Sequence, residues 1–484
     1  MFKKFVSGLG IILGLNLLIK PIWIFFIDLR VQNELGPEVY GEYFALLNFT
    51  FLWNILLDIG ITNFNNRNIA QNNALLSKHH PKILSLRFIM GAFYLLFCLL
   101  MGLLLDYSPN QLKLICWLAF NQFLSLLILY LRSNISGLLM FKLDAIFSVL
   151  DRLLMTLGMA VVLFFPFLTG DLSIEQFIGV QTGAYLISAI ILLVVVSRKA
   201  KGLKKAWHLP FKLVVLKKSF PFAILVLLMT LYTRTDAVMI ERLCDFGAHE
   251  SGVYARSFRL LEALNMVAFL FAGLLLPLFS KMIADKKRVQ AIAGIAFRVL
   301  FSGAWIAIGA AYFFGDLIIG FLYPDAGLED ANILKGLMWA FMGMSTTYVF
   351  GTLLTANGNL GTLNKMALVG VVVNVGLNLW MIPRMGAMGA VIATAVTQIG
   401  TAVFQMVLCH TYFGFEIPMR ATILQCLFVL VCPLIFWLVF SWNQSFWGLT
   451  SGLVIALILV FASKMVHLKS LIHLFKDENE GEKI

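Results

Sequence analysis

Runs of about 20 mainly apolar residues, the length a helix needs to cross a bilayer core, recur almost without pause along these 484 residues. Candidate spans lie near 8–29, 41–63, 84–105, 112–131, 145–168 and 174–196. After a basic stretch come 219–240, 254–279, 293–315, 333–356, 362–382, 387–411, 420–440 and 446–466. The pattern predicts an all-α integral membrane protein of about 14 transmembrane helices. Composition agrees: 60% of the residues are hydrophobic and 13% charged, against about 45–50% and about 25% in soluble domains. That balance excludes a cytosolic enzyme, a secreted disulfide scaffold and a disordered chain.

The formal charge of +12 raises the question of nucleic acid, but its distribution answers as topology. Alternate loops are basic: Arg67/Lys78/Lys82/Arg87, Arg132/Lys142/Arg152, Arg198 to Lys218, Lys281/Lys286/Lys287/Arg288, Lys365, Arg420, and the tail with Lys464, Lys469, Lys476 and Lys483. The intervening loops are poor in cations and often acidic, as at Asp106, Asp171/Glu175 and Asp316/Asp325/Glu329/Asp330. About 28 of the 37 cations fall on one side, which the positive-inside rule makes cytoplasmic. Both termini are therefore expected in the cytoplasm, and no nucleic-acid partner is expected. The stretch 201–218 reads as a topology anchor beside anionic lipid. Met1-Phe2-Lys3-Lys4 and the apolar run behind it lack a small-x-small cleavage site and read as a retained first span. The six cysteines show no metal or redox spacing, and five sit in apolar runs as small hydrophobes.

Gly36, Gly41 and Tyr43 recur as Gly247, Gly252 and Tyr254 at a constant offset of 211 residues. Each segment follows the first span of a six-span block. The expected organisation is an N-terminal lobe (1–200), a basic linker (201–218), a C-terminal lobe (219–412), and a final span pair with a tail (413–484). The two pseudo-symmetric six-helix lobes would be parallel repeats about an axis along the membrane normal.

Walker A, zincin and dinucleotide-binding sequences are missing, so an enzyme is not expected and no cofactor is implied. Polar groups inside spans remain, and these are expensive in lipid and functional by default. Asn16 and Lys20 share a face of the first span, with Pro21 set to weaken the helix beside them. Asn54 and Asp58 are four apart on the second span; Thr230 and Arg234 repeat that spacing on the seventh, with Asp236 close by. Arg256, Arg259 and Glu262 form a stripe on the eighth, and Asn374 and Asn378 share a face of the eleventh. A cation at mid-membrane costs about 3 kcal/mol, so these groups are expected to face a water-filled cavity between the lobes. More cations than carboxylates suit an anionic substrate. Lys20, Arg234, Arg256, Arg259, Asn16, Asn374 and Asn378 are the candidate ligands. Asp58, Asp236 and Glu262 are candidates for coupling a proton or sodium ion, with Glu262 expected to pair with Arg259.

The Leu-Gly-x-x-x-Tyr-Gly-x-Tyr run at 35–43, Asp58-Ile59-Gly60 and Arg67-Asn68-Ile69-Ala70 resemble the first-lobe signatures of polysaccharide flippases. Pro221 with Arg234-Thr235-Asp236, then Gly252-Val253-Tyr254-Ala255-Arg256 leading to Pro277, also resemble that family. So does Asn374-x3-Asn378-x4-Pro383-x2-Gly386-x2-Gly389-Ala390. The family is the multidrug/oligosaccharidyl-lipid/polysaccharide (MOP) exporter superfamily, specifically its O-antigen (Wzx-type) flippases. The resemblance implies alternating-access transfer of a polyprenyl-pyrophosphate-linked oligosaccharide to the periplasmic leaflet of the bacterial inner membrane. Membrane lipids and polysaccharide polymerase or assembly proteins are the implied partners. It matches Lys20 to the basic position of helix one and Arg256 or Arg259 to that of helix eight; Arg234 has no such counterpart. The alternatives are a multidrug cation antiporter of the same superfamily and, against the short outer loops, a membrane glycosyltransferase or polymerase.

Overall fold

A computed structural model describes residues 11, 14–165, 167, 170–200, 209–284, 289–415 and 419–463. The cations of 1–10, 201–208, 286–288 and the tail from 464, and the side chains of Arg67, Lys212, Lys217, Lys218, Pro221 and Arg420, lie outside that description. Among the described residues there are helices and no strand. Among the described residues eleven helical segments are long and apolar enough to span a bilayer, and they correspond in order to the third through thirteenth expected spans. The fourteenth is the shorter apolar helix Phe446–Ala462. Side chains such as Phe26, Leu104 and Leu430, each at least 70% exposed, make sense only against lipid tails.

The chain forms two compact units, Met1–Gly252 and Val253–Ile484. In the first, α1 is α-helical over 14–22 and becomes π-helical over Trp23–Asp28. This places the irregularity two residues beyond Pro21, whose missing N–H frees a carbonyl in the preceding turn. α2 (Leu29–Leu52) is interrupted at Gly36 (φ 74°, ψ 171°) ahead of Pro37. The expected second span is not one helix. It ends with α2, passes through α3 (Ile55–Asp58), breaks at Ile59 and Gly60 in the left-handed region, and resumes as α4 (Ile61–Gln71). Glycine bears φ 76° readily; Ile59 at φ 43° needs its neighbours to hold it.

α5 (Leu75–Leu104) and α6 (Pro109–Gly137) follow. The fifth span is split into α7 (Phe141–Phe147) and α8 (Leu150–Phe164), with Ser148 and Val149 between them. α9 (Ile174–Lys199) packs on α6 and α8. Ser108 and Ser173 cap α6 and α9, each with a reciprocal glutamine three residues on; two backbone donors are satisfied at each start.

α10 (Leu209–Leu243) packs along α2. α10 lies within the first unit. α11 (Gly247–Ala284) begins in this unit, and its start meets α2 at the repeated glycines. A Cβ on Gly41 would overlap the Ala248 carbonyl oxygen and the Gly252 nitrogen, and one on Gly252 would overlap Pro37. The residue matched to Gly41 by the 211-residue offset is thus the residue Gly41 packs against.

In the second unit α12 (Gln290–Leu322), α13 (Leu328–Ala356), α14 (Leu360–Met385) and α15 (Ala387–Phe413) pack in sequence, with α13 also lying on α15. Gly343 allows that closeness, since a Cβ there would overlap the Gln398 backbone. α16 (Met419–Trp442) and α17 (Phe446–Ala462) close on α12 around Phe314, Phe428, Cys432, Phe436 and Leu449. Gly309 and Gly452 seat the Phe436 ring.

Candidate functional site

In the first unit Asn16 is buried and donates from Nδ2 to Ser148 Oγ at 2.9 Å, fastening α1 to the gap between α7 and α8. One turn further on, Lys20 is half-buried and interacts electrostatically with Arg152, Asp151 and Arg132. Its ammonium makes no ion pair among the described residues. A half-shielded cation with two cationic neighbours is poised for an anion, because only an anion repays its lost hydration.

Arg234 on α10 donates from Nη1 to Asn48 Oδ1 at 3.3 Å, and its guanidinium carbon lies 4.8 Å from the Phe51 ring centre. Asn48 is oriented in turn by its own bond to the Phe44 carbonyl at 2.8 Å. Arg234 is therefore held in place by α2, still half-buried. Asp236 is 1% exposed.

Asp58 sits at the break between α3 and α4. Its Oδ1 accepts the Thr62 N–H at 3.1 Å and the Thr62 hydroxyl at 2.5 Å, and it pairs with Arg87. Arg87, counted among loop cations from sequence, is 2% exposed. It also donates to the Leu57 carbonyl at 2.5 Å and to Thr62 Oγ1 at 2.6 Å. Capping of the resumed helix and a buried ion pair describe Asp58 more fully than an open carboxylate does.

In the second unit Arg256 is 3% exposed. It binds Asp325 at 2.5 Å and Asp330 at 3.1 Å, and packs against the Tyr323 ring. Asp330 Oδ2 meanwhile accepts the Gly327 N–H, which starts α13. The charge of Arg256 is thus matched twice within its own unit. Arg259 pairs with Glu262 at 2.7 Å, as the three-residue spacing implies. Asn374 and Asn378 are fully buried, and Asn378 Nδ2 donates to Asn374 Oδ1 at 3.2 Å.

Sequence reading passed over two groups. Buried Asp28, closing the π-helical turn, accepts from the Tyr40 hydroxyl at 2.9 Å and from Gln32 at 3.1 Å. Near the N-terminus of α6, Glu241 Oε2 meets Arg242 at 3.0 Å and the Tyr107 hydroxyl at 3.4 Å. Burial pushes the Tyr107 phenol up to about 12. The Gln32 and Tyr40 spacings from Asp28 were available as a signal; the Tyr107–Glu241 contact had none. Among the described residues no group of three or more metal-ligating side chains occurs.

Spanning helices in two units, with half-buried cations on them, define a multi-pass helical membrane protein. A profile of the family described as "Polysaccharide biosynthesis protein" matches residues 6–283, and the chain belongs to that family. No curated protein sequence matches significantly. Among solved structures the fold resembles the lipid II flippase MurJ in an inward closed conformation, at TM-score 0.72 and 14% identity, over 96% of this chain and 99% of that one. An inward-facing multidrug resistance MATE family transporter of the MOP superfamily follows at 0.61 and 11%, over 80% and 93%. A MOP superfamily transporter from Pyrococcus furiosus, described as having a binding pocket of reversed polarity, matches at 0.59 and 12%, over 85% and 95%. The chain therefore has the MOP fold.

Proposed function

We propose that this protein is a flippase that moves an anionic polyprenyl-pyrophosphate-linked oligosaccharide from the cytoplasmic to the periplasmic leaflet by alternating access. It would serve surface polysaccharide assembly of the O-antigen or capsule type, in the bacterial inner membrane with both termini cytoplasmic. The observation that carries this is Lys20: a half-buried ammonium on the first spanning helix, without an ion pair among the described residues, beside Arg152 and Arg132. In a membrane protein of the polysaccharide biosynthesis family, the anion such a group serves is the pyrophosphate of a lipid-linked sugar. The lipid tail stays in the bilayer, while charge-assisted contacts replace the hydration the headgroup loses. Arg234, held by Asn48 and Phe51, is the second ligand in this reading, and the two six-helix repeats are the moving parts. Asp58, Asp236 and Glu262 are the candidates for coupling a proton or sodium ion, Asp58 and Glu262 each through the arginine that engages it.

Complementation of a strain lacking its own flippase tests this. Lys20→Ala should abolish rescue of surface polysaccharide and Lys20→Arg should restore it, with membrane levels checked by immunoblot. Full rescue by Lys20→Ala refutes the cationic-ligand reading. Drug resistance conferred without glycan rescue would indicate the multidrug antiporter instead.

A further inference from the structure

The surroundings of Lys20 carry more than that lysine. Asn16 ties α1 to Ser148 in the gap between α7 and α8, and Arg152 opens the helix on the far side of that gap. The Arg152 guanidinium carbon lies 5.7 Å from the Trp23 ring centre, at the first residue of the π-helical segment. Arg132, near the end of α6, donates from Nε to Asp144 Oδ1 at 2.9 Å. Three cations from α1, α6 and α8 thus gather with two carboxylates, Asp144 and Asp151.

Both carboxylates have work already. Asp144 takes Arg132, and Asp151 Oδ1 accepts the backbone N–H of Arg152 at 2.8 Å. Lys20, half shielded from water and without an ion pair among the described residues, carries a charge that is costly until an opposite charge meets it. The Arg152 guanidinium, which also donates from Nη1 to Met155 Sδ at 3.7 Å, stands beside Lys20. The two groups differ usefully. A guanidinium presents a planar fork that matches a phosphoryl edge, whereas an ammonium is a compact point charge. An aromatic ring under the guanidinium limits its rotation, so less freedom is lost on binding.

We propose that Arg152 is a pyrophosphate-binding residue, acting with Lys20 on the two phosphoryl groups of a polyprenyl-linked sugar. Arg132, anchored by Asp144, contributes field rather than contact. This rests on the flippase reading and adds to it a ligand on the fifth span, which none of the in-span cation patterns marks.

The test is binding of radiolabelled polyprenyl pyrophosphate, without sugar, to the full chain in phosphatidylcholine nanodiscs. Polyprenyl monophosphate and phosphatidylglycerol serve as competitors. Arg152→Gln and Lys20→Gln should each weaken binding about 10-fold or more, the scale of one charge-assisted bond. Arg152→Lys should weaken it by only about 3-fold, because charge is kept and the fork lost. Arg384→Gln, whose parent side chain bonds its own helix at the Trp380 carbonyl, should bind as wild type does. A merely structural arginine would leave the preference for pyrophosphate over monophosphate intact; the proposal has Arg152→Gln abolish it.

Wild-type affinity and preference in Arg152→Gln overturn the inference while leaving the flippase reading standing. If Arg152→Gln does not fold, Arg152→Lys decides: unchanged affinity and preference overturn the proposal. Displacement of the probe by equimolar phosphatidylglycerol also overturns it, since the site would then be one for anionic membrane lipid. Failure of folded wild-type protein to bind any polyprenyl pyrophosphate refutes the flippase reading itself.

Discussion

Replacing Asp58 with asparagine tests whether the break between α3 and α4 depends on an ion pair. The change keeps the shape of the side chain and removes its charge. It would strand Arg87, which is 2% exposed and is otherwise met by the neutral oxygens of Leu57 and Thr62 and by the Tyr130 ring. Removing one partner from a buried pair costs about 3–5 kcal/mol. At about 2–4 °C per kcal/mol, that becomes a fall in Tm of about 6–20 °C. Arg87→Met should cost less, about 1–3 kcal/mol, because Asp58 keeps both Thr62 contacts and is 21% exposed. With the charge gone from both sides, the double variant should be more stable than the sum of the single losses implies, by about 1–3 kcal/mol of coupling. The assay is thermal unfolding of purified protein in one fixed detergent, followed by loss of the monodisperse chromatographic peak. A Tm for Asp58→Asn within about 2 °C of wild type, or strict additivity in the double variant, would refute the reasoning. Complementation at low temperature then separates stability from coupling: with a structural role alone, folded Asp58→Asn should still rescue polysaccharide.

Gly252→Val should prevent the approach of the α11 start to Pro37 and lower Tm or block folding outright, since overpacking alone costs about 1–3 kcal/mol. Gly376→Ala on α14, where a Cβ meets nothing within 4 Å, should instead stabilise by about 0.5–1 kcal/mol. Arg256→Met strands Asp330, which is 4% exposed, and should lower Tm far more than Asp325→Asn, whose parent side chain is 55% exposed. Burial holds the Tyr107 phenol at about 12, above its ordinary value of about 10. The folded state therefore keeps a proton that the unfolded chain loses, and stability should fall as pH rises from about 10 to about 12. Tyr107→Phe should flatten that part of the pH–Tm curve.

The helices were legible because hydropathy over about 20 residues reports directly on burial in lipid. Eleven candidate spans fell where expected. The second span misled because its interior is apolar enough to read through Asp58-Ile59-Gly60, although two successive left-handed residues turn the chain there. Local pairs could be read from spacing: Arg259 with Glu262, and Asn374 with Asn378. Pairs distant in sequence could not. Arg87 is 29 residues from Asp58, Asp330 is 74 from Arg256, and Ser148 is 132 from Asn16. No periodicity links such residues, so Arg87 counted as a loop cation until the fold placed it. Arg152 was likewise a mark of topology before it became a neighbour of Lys20.

The π-helical turn at Trp23–Asp28 has a consequence for comparing this chain with its relatives. Each i→i+5 ring encloses one residue more than an α-helical ring, and one residue is about 100° of rotation. A relative whose first helix is α-helical throughout would present a different azimuth for every side chain on one side of the turn, at identical spacing. Lys20 and Asn16 precede the turn; Asp28 and Gln32 follow it. Aligning position 20 without a gap can therefore match the right letter to the wrong face, so equivalence along this helix has to be judged in three dimensions.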